Sequence, residues 1–446
     1  MAPPASPSPA LSLNREILRL AVPALGALIA EPAFLILDSV MVGHLGTSPL
    51  AGLGIAGAVL QTIVGLMIFL AYSTTPAVAR RFGAGKPGDA VSVGIDGMWL
   101  ALGLGAVLAV IGALATPALV AAFRASEAVA TEAHTYLTIS MWGLPAMLVV
   151  FAATGLLRGM QDTVTPLWIA GLGFGANALL NWIFIYGLDW GIAGSAFGTV
   201  VAQWGMVAAY VVVIRRLAHR HGASMKAQRS GIRGTARSGG WLFLRTVSLR
   251  VALLTTVAVA TGLGARELAG WQIVFTIFST AAFALDALAI AAQAMIGKSL
   301  GSDDLEHVHR VLRRTLAWGL WFGVVVGVII AALSGVIGVA FTGDAGIGAL
   351  VQPAFLVLAA AQPIAGMVFV LDGVLMGAND ARYLAIAGLL NLVPFLPTLW
   401  MIATSGVDGQ AGLVWLAVAF FGVYLLARFG TLGWRVRTDA WTKVAA

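Results

Sequence analysis

The segment GLLRGMQD, at residues 155–162, returns 218 positions later as GVLMGAND, at residues 373–380. The same offset pairs LGTSPLAG, at 45–52, with LGARELAG, at 263–270. The register holds without a gap between these two pairs. A register kept over that distance predicts that the chain contains two copies of one structural unit.

The composition is that of an integral membrane protein. Of the 446 residues, 60% are hydrophobic and only 10% are charged, and the mean hydropathy is +0.94. A span needs about 20 apolar residues, and the N-terminus lacks the pattern of a signal peptide. There is no cysteine, which excludes disulfides and thiol chemistry. The apolar runs predict twelve spans, near 17–42, 51–79, 91–115, 133–157, 166–186, 192–214, 241–262, 268–296, 311–341, 350–376, 383–403 and 411–431.

The basic residues predict the orientation. If the N-terminus is cytoplasmic, the outside loops hold only Arg124 and Arg266 of the 26 Lys and Arg residues. This asymmetry is the positive-inside pattern, and it predicts that both termini are cytoplasmic. The basic segment 215–240 is interpreted as a topology signal and linker. It has no interleaved aromatic residues, so no nucleic-acid partner is expected.

Each copy of the repeat holds six spans, an even number, so both copies insert in the same direction. The predicted fold is therefore an all-α membrane protein with twelve transmembrane helices in two six-helix lobes, related by a pseudo-two-fold axis along the membrane normal. This design favours alternating-access transport over a static pore. The predicted segments are a disordered cytoplasmic N-terminus (1–14), an N-terminal lobe (15–214), the basic cytoplasmic linker (215–240), a C-terminal lobe (241–434) and a cytoplasmic tail (435–446).

One carboxylate, Asp38, interrupts the apolar run FLILDSVMVGHL at residues 34–45. A charge in hydrocarbon costs at least about 2.5 to 3.5 kcal/mol, so such a group needs a functional or structural reason. Pro23 and Pro32 precede it, and proline bends a helix and frees backbone carbonyls. We therefore expect Asp38 to exchange a proton during transport. The alternative is a structural hydrogen-bond acceptor within the bundle.

Uncharged oxygens occur in the fifth and sixth spans. Asn177 and Asn181 are four residues apart, hence on one helix face, and Thr199 lies in the sixth span. With Asp38 they form a candidate proton- or cation-coupling site, either as a hydrogen-bonded cluster or as ligands of Na⁺. The alternative for the two asparagines is hydrogen bonding between helices.

Three more carboxylates within the spans are candidates for lining a substrate cavity: Glu31, Asp286 and Asp372. No Lys or Arg lies in the same spans as Asp286 and Asp372. We expect these two to attract cationic substrates or to be structural residues that stay protonated.

Several motifs resemble one known family. LDSVMVGHLGTSPLAGLGI, TPAVARRFGAGK, GLLRGMQDT, GLDWGIAGSAFGTVVAQ and LDGVLMGAND are similar to the multidrug and toxic compound extrusion family, specifically its DinF branch. The resemblance runs from about Arg15 to Arg435. It implies a monomeric secondary antiporter in the bacterial inner membrane, which exports amphipathic small molecules in exchange for H⁺ or Na⁺. It implies no cofactor, no bound metal beyond the coupling ion and no enzymatic activity.

The resemblance can be carried over by residue. The family's first-helix acid matches Asp38, its fifth-helix asparagine matches Asn177 and its sixth-helix threonine matches Thr199. Asn181 departs from the pattern, because an aspartate usually occupies that position in members that bind a cation. The lost charge disfavours Na⁺ and favours protonation of Asp38 alone. Asp286 and Asp372 match acidic positions of this branch.

We therefore expect proton-coupled export with protonation of Asp38. The first alternative is the same fold driven by Na⁺. The second is a lipid-linked precursor flippase, which should carry a strongly cationic cavity, whereas arginines are almost absent from the predicted spans. No motif supports a membrane-embedded enzyme.

Overall fold

The computed structural model describes residues 9–342 and 345–444, and all regular structure in those ranges is helical. Twelve helices in this part of the chain are long and apolar enough to cross a membrane, as predicted. They are α1 (Pro9–Gly43), α2 (Thr47–Gly83), α3 (Pro87–Ala121), α4 (Glu127–Gly159), α5 (Val164–Gly187), α6 (Gly191–His221), α7 (Arg229–Leu263), α8 (Ala265–Gly301), α9 (Leu305–Thr342), α10 (Ala345–Gly377), α11 (Ala381–Thr404) and α12 (Gly409–Arg437).

The internal repeat is visible in the helix bounds. The first residues of α2 and α8, Thr47 and Ala265, are 218 positions apart, and so are those of α4 and α10, Glu127 and Ala345. The helices of the two copies begin at equivalent positions because the Gly and Pro residues that interrupt the apolar runs recur at the same spacing.

The packing divides the chain into two units, and α1 is divided between them. Of the described residues, the first unit comprises 22–239, and the second unit joins 9–21 to 240–342 and 345–444. The start of α1 is fixed in the second unit by Asn14, whose Oδ1 accepts hydrogen bonds from Arg314 Nε (2.6 Å) and Trp318 Nε1 (3.1 Å). Ile17 and Leu20 are buried there as well. Helix α1 leaves the second unit and enters the first between Ala21 and Val22, next to Pro23.

The non-helical segments before, between and after the spans are shorter than predicted. Residues 9–14 of the predicted disordered N-terminus are helical, while residues 1–8 lie outside the described residues. Only residues 222–228 of the predicted linker separate α6 from α7. Arginine is a good helix former, so a basic composition marks the end of a membrane span without ending the helix. Of the predicted tail, 435–437 belong to α12, and 445–446 lie outside the described residues.

An apolar core in the first unit surrounds the position of Asp38. Its buried members include Val42 on α1, Leu137 on α4, Ile185 on α5 and Ala196 on α6. Together with Leu53 of α2 and Val120 of α3, these residues form one core that is shared by all six helices of the unit. A polar side chain that faces this core is removed from solvent and must find a partner within the unit.

Candidate functional site

Asp38 is buried in the first unit, with 3% of its surface exposed, and it accepts hydrogen bonds from three side chains. Ser195 Oγ donates to Oδ1 at 2.6 Å, and Asn181 Nδ2 donates to the same oxygen at 2.8 Å. The Tyr136 hydroxyl donates to Oδ2 at 3.3 Å. Among the described residues, no Lys, Arg or His forms an ion pair with Asp38.

These contacts place two opposing effects on one carboxyl group. Burial penalises its charged form, and the three donors stabilise that form. A fixed cation would hold the group ionised, but the nearest polar partners are all uncharged. An acid balanced in this way is suited to gaining and losing a proton.

Asn181 contacts Asp38, and Asn177 lies one helical turn before it on the same face of α5. Asn177 Nδ2 donates to Thr199 Oγ1 at 3.0 Å, and Asn181 contacts Asp38 directly. The Oδ1 atoms of both asparagines are buried and have no hydrogen-bond partner. The amide of Asn181 must point its nitrogen at Asp38, because only the nitrogen can donate to a carboxylate. The structure therefore brings together all four residues of the predicted coupling site.

Two residues of the site are not predicted from the sequence, Tyr136 on α4 and Ser195 on α6. The Tyr136 side chain also interacts with those of Thr199 and Ser195, so it connects the α6 hydroxyls to Asp38. Ser195 precedes Thr199 by four residues and shares its helix face, which is a signal that could have found it. Tyr136 offers only a weak signal, a phenol within an apolar span.

Glu31 lies seven residues before Asp38, hence on nearly the same face of α1. Its side chain is exposed, and it forms no hydrogen bond or ion pair with any described residue. Phe34, one turn further on, stacks on Phe174 of α5 with 5.2 Å between ring centroids. Glu31 therefore has an accessible side chain and no basic partner among the described residues.

The prediction for Asp372 was wrong. Asp372 is buried on α10 and paired with two arginines from other helices, Arg245 of α7 and Arg428 of α12. Arg245 donates through Nε to Oδ1 (3.2 Å) and through Nη2 to Oδ2, and Arg428 Nη2 donates to Oδ2 at 2.9 Å. The two guanidinium groups already offset the charge of this carboxyl group, so Asp372 is a structural ion-pair partner and not an isolated acid that attracts cationic substrates.

Arginines also occur within the spans, contrary to the expectation from the sequence. Arg245 and Arg250 lie in α7 and Arg428 lies in α12. The pairing of Arg245 and Arg428 with Asp372 offsets part of this charge. Asp286, the remaining candidate, is half-buried on α8 in the same unit.

The chain is similar to known proteins in sequence and in fold. The MatE family model matches residues 23–183 and 243–400. Protein DETOXIFICATION 44, chloroplastic, of Arabidopsis thaliana is 29% identical over 98% of this chain and 85% of its own length. DNA damage-inducible protein F of Escherichia coli is 26% identical over 92% of this chain and 90% of its own. The crystal structure of the Vibrio cholerae MATE transporter VcmN in the bent form is similar in fold, with a TM-score of 0.87 at 19% identity, covering 97% of this chain and 99% of that one.

Proposed function

We propose, from the fact that this chain belongs to the MatE family, that it exports amphipathic organic cations in exchange for protons. Members of this family are membrane transporters rather than enzymes. The choice of the proton as coupling ion, of Asp38 as its carrier and of cations as substrates is the proposal.

The observation that supports it best is the environment of Asp38. The carboxyl group is buried, accepts three hydrogen bonds from uncharged groups and has no basic partner among the described residues. The ionised acid therefore keeps a negative charge that an organic cation can offset. The protonated acid has no such charge, so its affinity for a cation is lower.

Protonation also changes the hydrogen bonds that hold α1. The neutral acid carries a proton on one oxygen and can no longer accept from Ser195, Asn181 and Tyr136 in the same geometry. Contacts of α1 with α4, α5 and α6 then weaken at this level. Pro23 and Pro32 leave α1 with fewer backbone hydrogen bonds, so the helix can bend in response.

The proposed cycle follows from this difference. On the outer side Asp38 takes up a proton, and the substrate cation leaves. On the inner side the proton leaves, and a new cation binds. Coupling is the difference between the affinities of the two protonation states for substrate, and it acts in both directions.

The test is efflux from proteoliposomes under an imposed proton gradient, comparing the native chain with Asp38→Asn. We expect the Asn variant to lose proton-driven efflux, because it has no titratable group at this position. Asp303→Asn, at an exposed turn between α8 and α9, is the matched control and should behave as the native chain. Unchanged proton-driven efflux by Asp38→Asn would refute the proposal.

A second candidate keeps the fold and uses Na⁺. It is favoured by the buried, unpartnered Oδ1 atoms of Asn177 and Asn181, because amide, hydroxyl and carboxylate oxygens are the ligands that hard cations prefer. A sodium gradient applied alone separates the two candidates. If it drives efflux, and if Asn177→Ala abolishes that efflux, Na⁺ is the coupling ion.

We also propose that the chain lies in the inner membrane of a bacterium with both termini cytoplasmic. Support comes from the positions of Arg124 and Arg266, the only two of 26 basic residues in the predicted outer loops. Reporter fusions at the two termini test the orientation. A reporter that is active only outside the cytoplasm should stay inactive at both ends.

A further inference from the structure

We propose that a basic surface at the junction of α6 and α7 binds anionic phospholipid head groups. The surface, named here the basic face, consists of seven residues in the first unit: Arg215, Arg216, Arg220, Lys226, Arg229, Arg233 and Arg237. Neither the coupling site nor the family membership assigns it a role. The proposal does not depend on which ion or substrate the protein uses.

The whole net charge of the chain is concentrated in this face. The chain has 26 Lys and Arg against 19 Asp and Glu, a net charge of +7, and the basic face alone supplies seven positive charges. The rest of the chain is therefore neutral. No acidic residue occurs between Asp189 and Glu267, so the charge is not offset nearby in the sequence.

The side chains of the basic face are exposed and unpaired. All seven residues are exposed, and none of them forms an ion pair with a residue in the described ranges. On α7, Arg229, Arg233 and Arg237 follow one another at intervals of four, so they line one face of the helix. On α6, Arg216 and Arg220 share a face for the same reason.

The segment that carries the basic face is fixed rather than free. Asp96 of α3 accepts a hydrogen bond from the backbone N–H of Gln228 at 2.7 Å, at the start of α7. Trp99 Nε1, one turn along α3, donates to the Met225 carbonyl at 3.0 Å. Gly231 packs directly on Asp96, where a Cβ atom would collide with the carboxylate. The backbone that carries Lys226 and the start of α7 is thus fixed before any ligand arrives, which lowers the entropy cost of binding.

Trp99 indicates the depth of this surface in the membrane. Trp99 is 46% exposed although it lies on a membrane-spanning helix. Tryptophan with an exposed ring and a bonded N–H is typical of the membrane–water interface. The basic face is therefore at the level of the lipid phosphates, where clustered Lys and Arg residues attract anionic lipids.

The positive-inside rule alone does not account for these features. A topology signal requires basic residues in a loop, without regular spacing or a fixed segment. Here three arginines are aligned on one helix, and two contacts from α3 hold the turn between α6 and α7. These features are typical of a positively charged binding surface that is held at one depth in the membrane.

The test measures lipid binding to the purified full chain by native mass spectrometry, with phosphatidylglycerol and with neutral phosphatidylcholine. We expect the native chain to bind the first phosphatidylglycerol at least about tenfold more tightly than phosphatidylcholine. The variant R229Q/R233Q/R237Q should lose most of this preference. R229K/R233K/R237K keeps the charge and should retain it.

The matched control is R310Q/R313Q/R437Q, which removes the same charge from exposed positions of the second unit. It should retain the preference for phosphatidylglycerol. Equal losses in the two Gln triples would overturn the proposal, because net charge and not this surface would then be responsible. A native chain without any preference would overturn it too, as would displacement of the lipid by a short RNA at lower concentration.

If the α7 triple does not fold, R215Q/R216Q/R220Q tests the other half of the basic face in the same assay. Salt provides a measurement without mutation. At about 0.5 M NaCl, screening should reduce the preference of the native chain for phosphatidylglycerol by at least about fivefold. A preference independent of salt in the native chain would contradict an electrostatic surface.

Discussion

Ser195 donates the shortest of the three hydrogen bonds that Asp38 accepts, at 2.6 Å. It is fully buried, so no water can replace the bond if the hydroxyl is removed. Asn181 shares the same carboxylate oxygen at 2.8 Å, as a donor. An aspartate at position 181 would bring a second negative charge next to Asp38 instead of an N–H donor. The site is thus arranged around one titrating acid.

Ser195→Ala should move the pH dependence of transport. A hydrogen bond to a charged group contributes about 1.5 to 3 kcal/mol, and removing it disfavours the ionised form of Asp38. The proton is then released only at higher pH, so the half-maximal point of efflux should rise by about one to two pH units. The measurement is the pH profile of efflux from proteoliposomes.

Ser39→Ala is the control at this scale, since the Ser39 hydroxyl donates to the Leu35 carbonyl of its own helix and to no other group among the described residues. Its pH profile should match that of the native chain. If the Ser195→Ala profile also superimposes on the native one, Ser195 has no influence on the proton affinity of Asp38.

Among the helices, the contact of α5 with α6 positions the site, and it depends on two glycines. Gly194 and Gly198 are four residues apart on α6, a spacing that allows close helix approach in membranes. A Cβ atom on Gly194 would meet the Phe184 carbonyl carbon at 2.8 Å. A Cβ atom on Gly198 would collide with Oδ1 of Asn181. Asn181, which donates to Asp38, can therefore occupy its position only because residue 198 of α6 is a glycine.

Gly198→Ala should displace Asn181 and weaken its bond to Asp38. We expect a loss of thermal stability of about 1 to 3 kcal/mol from overpacking, together with reduced proton-driven efflux. Gly205→Ala, on the same helix, is the matched control because nothing lies within 4 Å of its Cβ position. That variant should be neutral or slightly stabilised. Equal behaviour of the two variants in thermal unfolding and efflux assays would contradict this account of the α5–α6 contact.

In the second unit a buried ion pair connects three helices, since Asp372 of α10 bonds Arg245 of α7 and Arg428 of α12. Asp372→Asn removes the negative charge to which the guanidinium groups of buried Arg245 and half-buried Arg428 both donate. We expect a loss of about 3 to 5 kcal/mol of stability, measured by thermal unfolding of the purified chain. Arg310→Ala breaks the exposed pair with Glu306 and should cost only about 0 to 1 kcal/mol. A stable Asp372→Asn protein would show that the pair contributes little to the fold.

For the whole molecule, the twelve spans and the repeat could be predicted because they depend on local composition and on the spacing of Gly and Pro residues. Asn177 and Asn181 could be placed with Asp38 because polar residues on one face of an apolar helix must meet a polar partner. The partners of Asp372 could not be predicted, because Arg245 and Arg428 lie on helices distant in the sequence. The composition of a span does not indicate which other spans it contacts. Tyr136 was missed for the same reason.

The central claim is that Asp38 carries the proton that is exchanged for substrate. The most direct test is to measure protons released when a fluorescent lipophilic cation such as ethidium binds the purified chain in weakly buffered solution. The account predicts release approaching one proton per cation bound by the native chain at pH values where Asp38 is protonated, and none by Asp38→Asn. Equal release from both proteins, or release of Na⁺ in place of protons by the native chain, would contradict it.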